Sequence, residues 1–66
     1  MKLVCIEYYF KPPKHSLGNR IEHAILYEKN RESLRYIKSF KSVDEAIVHA
    51  LDNKYEIAEF FKKGEN

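Results

Sequence analysis

The residue types that most often carry chemistry are few in this chain, and they lie far apart in the sequence. The single cysteine, Cys5, and the three histidines, His15, His23 and His49, are the residues that could bind a transition metal or act as nucleophile and base. A metal site needs such residues clustered at ligand spacing, and these are scattered. The chain has only two glycines and therefore lacks a Gly-rich phosphate-binding loop. The sequence thus predicts no metal and no other cofactor.

Catalysis by side chains alone is not indicated either. A nucleophilic pair of Cys5 and His23 needs hydrogen-bond reach, but strand alternation predicts these residues on opposite faces of a sheet. A carboxylate pair for acid–base work would come from Glu7, Glu22 or Glu28, which are expected on an open sheet rather than in a concave pocket. We therefore expect a protein that is not an enzyme, has no catalytic residues and takes no small-molecule substrate.

Length and composition limit the possible folds and indicate the cellular compartment. The chain has 66 residues, of which 44% are hydrophobic, and this predicts a single small domain, residues 1–66, with one thin core. One cysteine excludes an internal disulfide framework and is typical of a reducing compartment. No stretch approaches the roughly 18 apolar residues that span a bilayer. We expect a cytoplasmic protein without a membrane partner.

Alternating hydrophobicity and β-favouring residues predict three strands, at 3–10, 20–28 and 33–40. The loop at 11–19 contains both prolines of the chain and ends in Gly-Asn, which is turn chemistry. The hairpin tip at 29–32 connects the second and third strands. The predicted sheet therefore has three strands and is mainly antiparallel.

A helix is predicted after the third strand. Ser42 followed by Glu45 has the form of a capping box, in which the Ser hydroxyl accepts a hydrogen bond from the Glu amide. Apolar residues then recur at helical spacing, at Val43, Ala46, Ile47, Ala50, Leu51, Ile57, Ala58 and Phe61. Lys54 conflicts with this stripe, so the helix either breaks at Asp52-Asn53 or lets Lys54 snorkel to water. The expected fold is α+β in βββα order, with one long or broken C-terminal helix on one face of the sheet.

One helix can cover only one face of such a sheet. The face expected beneath it carries Val4, Ile6, Tyr8, Phe10, Ile21, Ile25, Tyr27, Leu34, Tyr36 and Phe40. The opposite parity leaves apolar residues together on the uncovered face, bordered by charge, which is typical of protein–protein interfaces. The residues predicted to make this contact are Leu3, Cys5, Tyr9, Leu26, Arg35 and Ile37. In the alternative, the helix is split and its second half covers this face.

The leading hypothesis for function follows from this uncovered face. Stand-alone domains of this size without catalytic residues suit regulators or inhibitors, including virus-encoded ones that block a host protein. We therefore expect a small protein-binding regulator or inhibitor, whose partner is either another protein or a second copy in a homodimer.

Nucleic-acid binding is the alternative hypothesis. The net charge is only +2, but residues 1–42 are basic and residues 43–66 are acidic. Basic side chains beside aromatic ones could contact phosphates and stack on bases. The residues expected to do so are Lys11, Lys14, Arg20, Arg31, Arg35 and Lys38.

The segment Phe40-Lys41-Ser42-Val43-Asp44-Glu45-Ala46 after a hairpin is similar to the strand-to-helix junction of the βββα arm-binding domains of phage-type integrases. Those domains read a DNA groove with their sheet, so the resemblance would imply DNA as a ligand. It covers only this short segment, and the basic, Gly-rich strands of that family are missing here. We therefore do not assign the chain to that family.

Overall fold

Three strands, one helix and a fourth strand make up residues 1–11 and 21–63, which are the residues that the computed structural model describes. Their bounds are β1 (Leu3–Lys11), β2 (Ile21–Asn30), β3 (Ser33–Phe40), α1 (Val43–Asp52) and β4 (Glu56–Lys62). The strands form one sheet in the order β3-β2-β1-β4, antiparallel except for the parallel pair of β1 and β4. The predicted α+β class is confirmed. The prediction of a three-stranded antiparallel sheet is wrong, because the sheet has four strands and is mixed.

The start of α1 has the predicted cap and an additional one from the sheet. The amide of Glu45 donates to Ser42 Oγ at 3.2 Å, and the Ser42 hydroxyl lies 3.4 Å from Glu45 Oε2. The amide of Val43 donates to Glu22 Oε2 at 2.6 Å, so a carboxylate of β2 satisfies another free amide of the first turn. The helix therefore begins where the local sequence predicts and is tied to the sheet at that point.

The end of α1 resolves the conflict at Lys54. The amide of Tyr55 donates to the carbonyl of Ala50 at 2.9 Å, and that of Lys54 donates to Leu51 at 3.1 Å, with Asn53 as the C-cap. Together these two bonds form a Schellman motif, which needs a left-handed residue after the cap. Lys54 takes that position with φ 59°. The helix therefore breaks at Asp52-Asn53 and has 10 residues, so the expectation of one long helix is wrong.

The residues after the break form β4 rather than a second piece of helix. The amide of Glu56 donates to the carbonyl of Lys2 and that of Lys63 to the carbonyl of Tyr8, both at 2.8 Å. These bonds anchor both ends of β4 on the free edge of β1, with Ala58 skipped at a bulge. The chain after α1 thus widens the sheet, and it does not cover the second face as the split-helix alternative had it.

Small residues let α1 lie close to the sheet. The buried core consists of Val4, Ile6, Ala24, Leu26, Phe40, Ala46 and Ala50. Ala24 of β2 faces the helix alanines, and all three are fully buried. Their small side chains permit a close approach that the bulkier Ile25 and Tyr27 would prevent. The predicted parity of β2 is therefore wrong, because Ala24 and Leu26 lie beneath the helix and Ile25 and Tyr27 lie on the other face.

A bulge in β3 changes which of its residues share a face. The register pairs Leu26 with Lys38 and Tyr27 with Tyr36, so Ile37 is the extra residue. Ile37 packs against the core from its half-buried position. Residues 34 and 36 consequently lie opposite the helix while Phe40 lies beneath it, although a regular strand would place all three on one face.

Candidate functional site

The face of the sheet opposite α1, here called the open face, is not covered by any other described element. The registers and the alternation of each strand define its members. They are Leu3, Cys5, Glu7, Tyr9, His23, Ile25, Tyr27, Lys29, Leu34, Tyr36, Ser39, Glu56, Glu59 and Phe61, with Lys63 after the end of β4. Five of these side chains are aromatic rings, counting the imidazole. The open face is therefore a candidate binding surface.

Polar contacts hold the aromatic rings of the open face in place. The Tyr27 hydroxyl donates to Glu7 Oε1 at 2.8 Å. The rings of Tyr9 and His23 are 5.0 Å apart, and Lys63 Nζ lies 5.4 Å from the centre of the Tyr9 ring. These contacts position the rings, and positioned aromatic rings are typical of binding surfaces.

The outer part of the open face, on the edge strand β3, exposes the most apolar surface. Tyr36 is 58% exposed and Leu34 is 46% exposed. The Tyr36 hydroxyl and Ser39 Oγ are 2.9 Å apart, so the exposed ring is also positioned by a hydrogen bond. Beside them on β2 lie the half-buried Ile25 and Tyr27. An apolar and aromatic patch is thus centred on β2 and β3.

An ion pair crosses β1 beside Cys5. Lys29 Nζ on β2 lies 3.7 Å from Glu59 Oε1 on β4, and the Cys5 thiol lies 3.8 Å from the same carboxylate oxygen. Cys5 is fully buried even though it is on the open face. Burial raises the pKa of the thiol, and the charge of Glu59 raises it further, whereas Lys29 acts in the opposite direction. The thiol therefore stays protonated at neutral pH, which does not favour a reactive nucleophile.

The phenol of Tyr27 is likewise held in its neutral form. Burial raises its pKa, and the hydrogen bond to Glu7 and the charge of that carboxylate add to the rise. At neutral pH the hydroxyl is a donor that orients Glu7. The chemistry of the open face is therefore hydrogen bonding and apolar contact rather than proton transfer.

The predicted contact residues divide between the two faces. Leu3, Cys5 and Tyr9 lie on the open face as predicted, with Leu3 partly exposed and Cys5 buried. Leu26 is fully buried in the core, and its predicted place on the open face is wrong because β2 has the opposite parity.

The two predicted contact residues of β3 are also elsewhere. Ile37 packs against the core because of the bulge, so its predicted placement is wrong. Arg35 is exposed and pairs with Glu28, which lies opposite Val4, so its register places it on the helix side. The predicted contact therefore keeps its β1 members and loses those on β2 and β3.

Sequence reasoning assigned the main apolar residues of the open face to the core or to the helix. These residues are Ile25, Tyr27, Leu34, Tyr36 and Phe61. The sequence of β2 does contain a signal for which of its faces lies beneath α1, because Ala24 is the small residue that a closely packed helix requires. No local signal in the sequence of β3 predicts its bulge.

Cys5 and His23 do share the open face, contrary to the predicted separation. Cys5 pairs with Tyr27, whereas His23 pairs with Tyr9, four residues further along β1. At about 3.3 Å per residue this separates them by roughly 13 Å, which is beyond hydrogen-bond reach. Within residues 1–11 and 21–63, no group of three or more His, Cys, Asp or Glu side chains could hold a metal ion. The same part of the chain has no helix long and apolar enough to cross a membrane.

The cations proposed for nucleic acid are only partly described. Lys14, Arg20 and the side chain of Lys11 lie outside the described residues. Arg31 occupies the β2–β3 turn with φ 46°, and Arg35 and Lys38 are exposed on β3. Together with the exposed Lys41 they form a row of four cations along one edge of the sheet, here called the basic edge.

No model of a known protein family matches this chain, and comparison with curated proteins and with solved structures gives no match either.

Proposed function

We propose that this protein is a non-enzymatic regulator or inhibitor whose open face binds the surface of another protein molecule. The observation that carries the proposal is the exposed patch of Leu34 and Tyr36 beside Ile25 and Tyr27 on β2 and β3. A contiguous apolar patch on a rigid sheet, with charged groups around it, has the composition of a protein interface. The free Cys5 suits a reducing compartment such as the cytoplasm.

The arrangement of charge supports a protein rather than a polyanion as the ligand of the open face. Among the described side chains of this face, the three carboxylates of Glu7, Glu56 and Glu59 outnumber the two ammonium groups of Lys29 and Lys63. Three carboxylates would repel phosphate groups. The tyrosine rings instead provide large contact areas that lose little side-chain entropy on binding a protein surface.

The proposal is tested by placing a photo-crosslinking residue, p-benzoylphenylalanine, at position 36 in cells. The matched control carries it at position 48, because Val48 on α1 is 55% exposed on the opposite side of the molecule. We expect protein adducts from position 36 on irradiation and few from position 48. Equal labelling from both positions, or no protein adduct from position 36, would refute the open face as the binding surface.

A second candidate function rests on the basic edge. Four exposed cations in a row on and beside β3 could follow the backbone of a single-stranded nucleic acid. About four phosphate contacts give a salt slope near −2.8 for a single strand, so a fourfold rise in salt should weaken binding about 50-fold.

The basic edge is tested with a labelled single-stranded oligonucleotide of mixed sequence. Changing Arg35 and Lys38 together to Glu should abolish binding, whereas Lys54→Glu, at the far end of α1, should leave most of it. Binding that resists salt, or that the double variant retains, would exclude this second function.

A further inference from the structure

We infer that the protein molecule on the open face is a second copy of this chain. The two sheets would pack face to face with one helix on each outer side, giving a symmetric four-layer dimer. The inference rests on the proposed function, since it names the partner of the same surface. Three observations, on the core, the charges and the edges, carry it.

The core of one copy is small. Among the described residues, seven side chains are buried in it, and three of them are the alanines Ala24, Ala46 and Ala50. A chain of this length buries only about 60% of the surface that its unfolded form exposes, and oligomerisation is one of the common ways to bury more. The single cysteine allows no internal disulfide that could serve instead. A second copy would bury the side of the sheet that α1 leaves open.

The charges of the open face permit contact with the same face of a second copy. A twofold interface brings the same patch together from both copies, so each acidic group needs a basic group or a hydrogen-bond donor in that patch. Within one copy Glu59 pairs with Lys29, and Glu7 accepts a hydrogen bond from Tyr27. Glu56 and Lys63 have opposite charges and can pair across the interface. The apolar patch of β2 and β3 lies between these charges and the sheet edge. Two copies can therefore pair acid with base around an apolar contact.

The layers of such a dimer have ordinary spacing. The two sheets would pack about 10 Å apart, as in a β-sandwich, with α1 of each copy on the outside.

The edges of the sheet, by contrast, disfavour self-pairing. Both edge strands contain a bulge, at Ile37 in β3 and at Ala58 in β4, and bulges interrupt the ladder that a new strand would extend. Two copies of β3 side by side would also place Arg35 and Lys38 near their own counterparts. Like charges across a strand pair are destabilising. The broad face is thus the better surface for a second copy.

The test is sedimentation velocity over a wide concentration range on the wild-type chain and two matched variants. Leu34→Glu changes an exposed leucine of the open face, and Leu51→Glu changes a leucine of α1 that is 62% exposed. We expect a wild-type dimer, a dimer in Leu51→Glu, and a dissociation constant raised at least about 30-fold in Leu34→Glu, which is the size of a hot-spot loss. Tyr36→Ala, a milder change, should also weaken the dimer, and far-ultraviolet circular dichroism of each variant verifies that it folds.

The contrary outcomes separate the two proposals. A wild-type monomer at all concentrations, with a different protein crosslinked from position 36, overturns self-pairing and leaves the proposed function standing. A monomer with no adduct from that position overturns both. A dimer that folded Leu34→Glu and Tyr36→Ala both keep, or a series of ever larger oligomers, overturns the face-to-face arrangement and points to the edges.

Discussion

Two neighbouring residues of β2 provide the most direct test of which face of the sheet is the core. Leu26 is fully buried beneath α1, whereas Ile25 is half-buried on the open face. Changing either residue to Ala removes the same number of carbon atoms. The two substitutions therefore differ in environment and hardly at all in chemistry.

The expected costs follow from burial. Leu26→Ala removes three buried carbons, worth about 2.4 kcal/mol of transfer free energy at about 0.8 kcal/mol each, and leaves a cavity that adds to the loss. We expect the free energy of unfolding to fall by about 3 kcal/mol. Ile25→Ala exposes only part of that surface and leaves no closed cavity, so it should cost about 1 kcal/mol. A chain of this length has a total stability of about 3–10 kcal/mol, so Leu26→Ala should be close to unfolding.

The assay is urea unfolding followed by circular dichroism, together with thermal melts. Leu26→Ala should lower the melting temperature by about 12–24 °C, since 1 kcal/mol corresponds to about 4–8 °C in a domain of this size. Both variants should be measured at the lowest usable protein concentration, where self-association through the open face contributes least. If Ile25→Ala costs as much as Leu26→Ala under those conditions, our assignment of the two faces is wrong.

Three further substitutions or titrations test the helix ends and the open face. Ser42→Ala should lower the free energy of unfolding by about 1 kcal/mol in urea unfolding, because the Glu45 amide loses its capping acceptor. Lys54→Gly should raise it by about 0.5–1 kcal/mol in the same assay, because glycine takes the left-handed conformation at φ 59° without the cost that a Cβ imposes. The raised pKa values of Cys5 and Tyr27 predict a loss of stability at alkaline pH. Their contribution is intact below the ordinary values of 9.0 and 10.0, and it is lost as the pH rises through the higher pKa values of the folded state.

Each of these expectations has a control. Ser42→Thr keeps a capping hydroxyl and should cost little. Lys54→Val should destabilise, since a β-branched residue disfavours positive φ, and a stabilising effect of Val would refute the conformational argument. In the alkaline titration, Cys5→Ala and Tyr27→Phe should each flatten the decline in stability with pH. A decline as steep as that of the wild type in both variants would mean that other groups cause it.

The sequence was sufficient where the signal was local. The alternation of β1 and the capping pair of Ser42 and Glu45 act within a few residues, and the structure has both where they were expected. The choice between a broken helix and a snorkelling Lys54 was visible in the sequence but open, because both satisfy the same apolar spacing. The Schellman motif decided it, because the bonds from Tyr55 to Ala50 and from Lys54 to Leu51 end the helix.

The candidate site was harder to predict because its members depend on partners distant in the sequence. Ile57 and Phe61 fit helical spacing as well as strand spacing, and only the free edge of β1 makes them strand residues. The apolar residues of 21–28 could face either way with equal regularity. Ala24 is buried because the alanines of α1 lie against it, and this fit exists only in the folded chain.

By itself the sequence determined the α+β class, the first three strands and the start of the helix, since backbone propensity and capping are properties of short segments. The single cysteine also excluded an internal disulfide. Only the tertiary structure decided that the chain after α1 returns to the sheet as β4. It also decided that the bulge at Ile37 moves Leu34 and Tyr36 away from the core. The physical reason is that edge pairing and close packing are contacts between distant parts of the chain, and these contacts determine which side of a strand faces water.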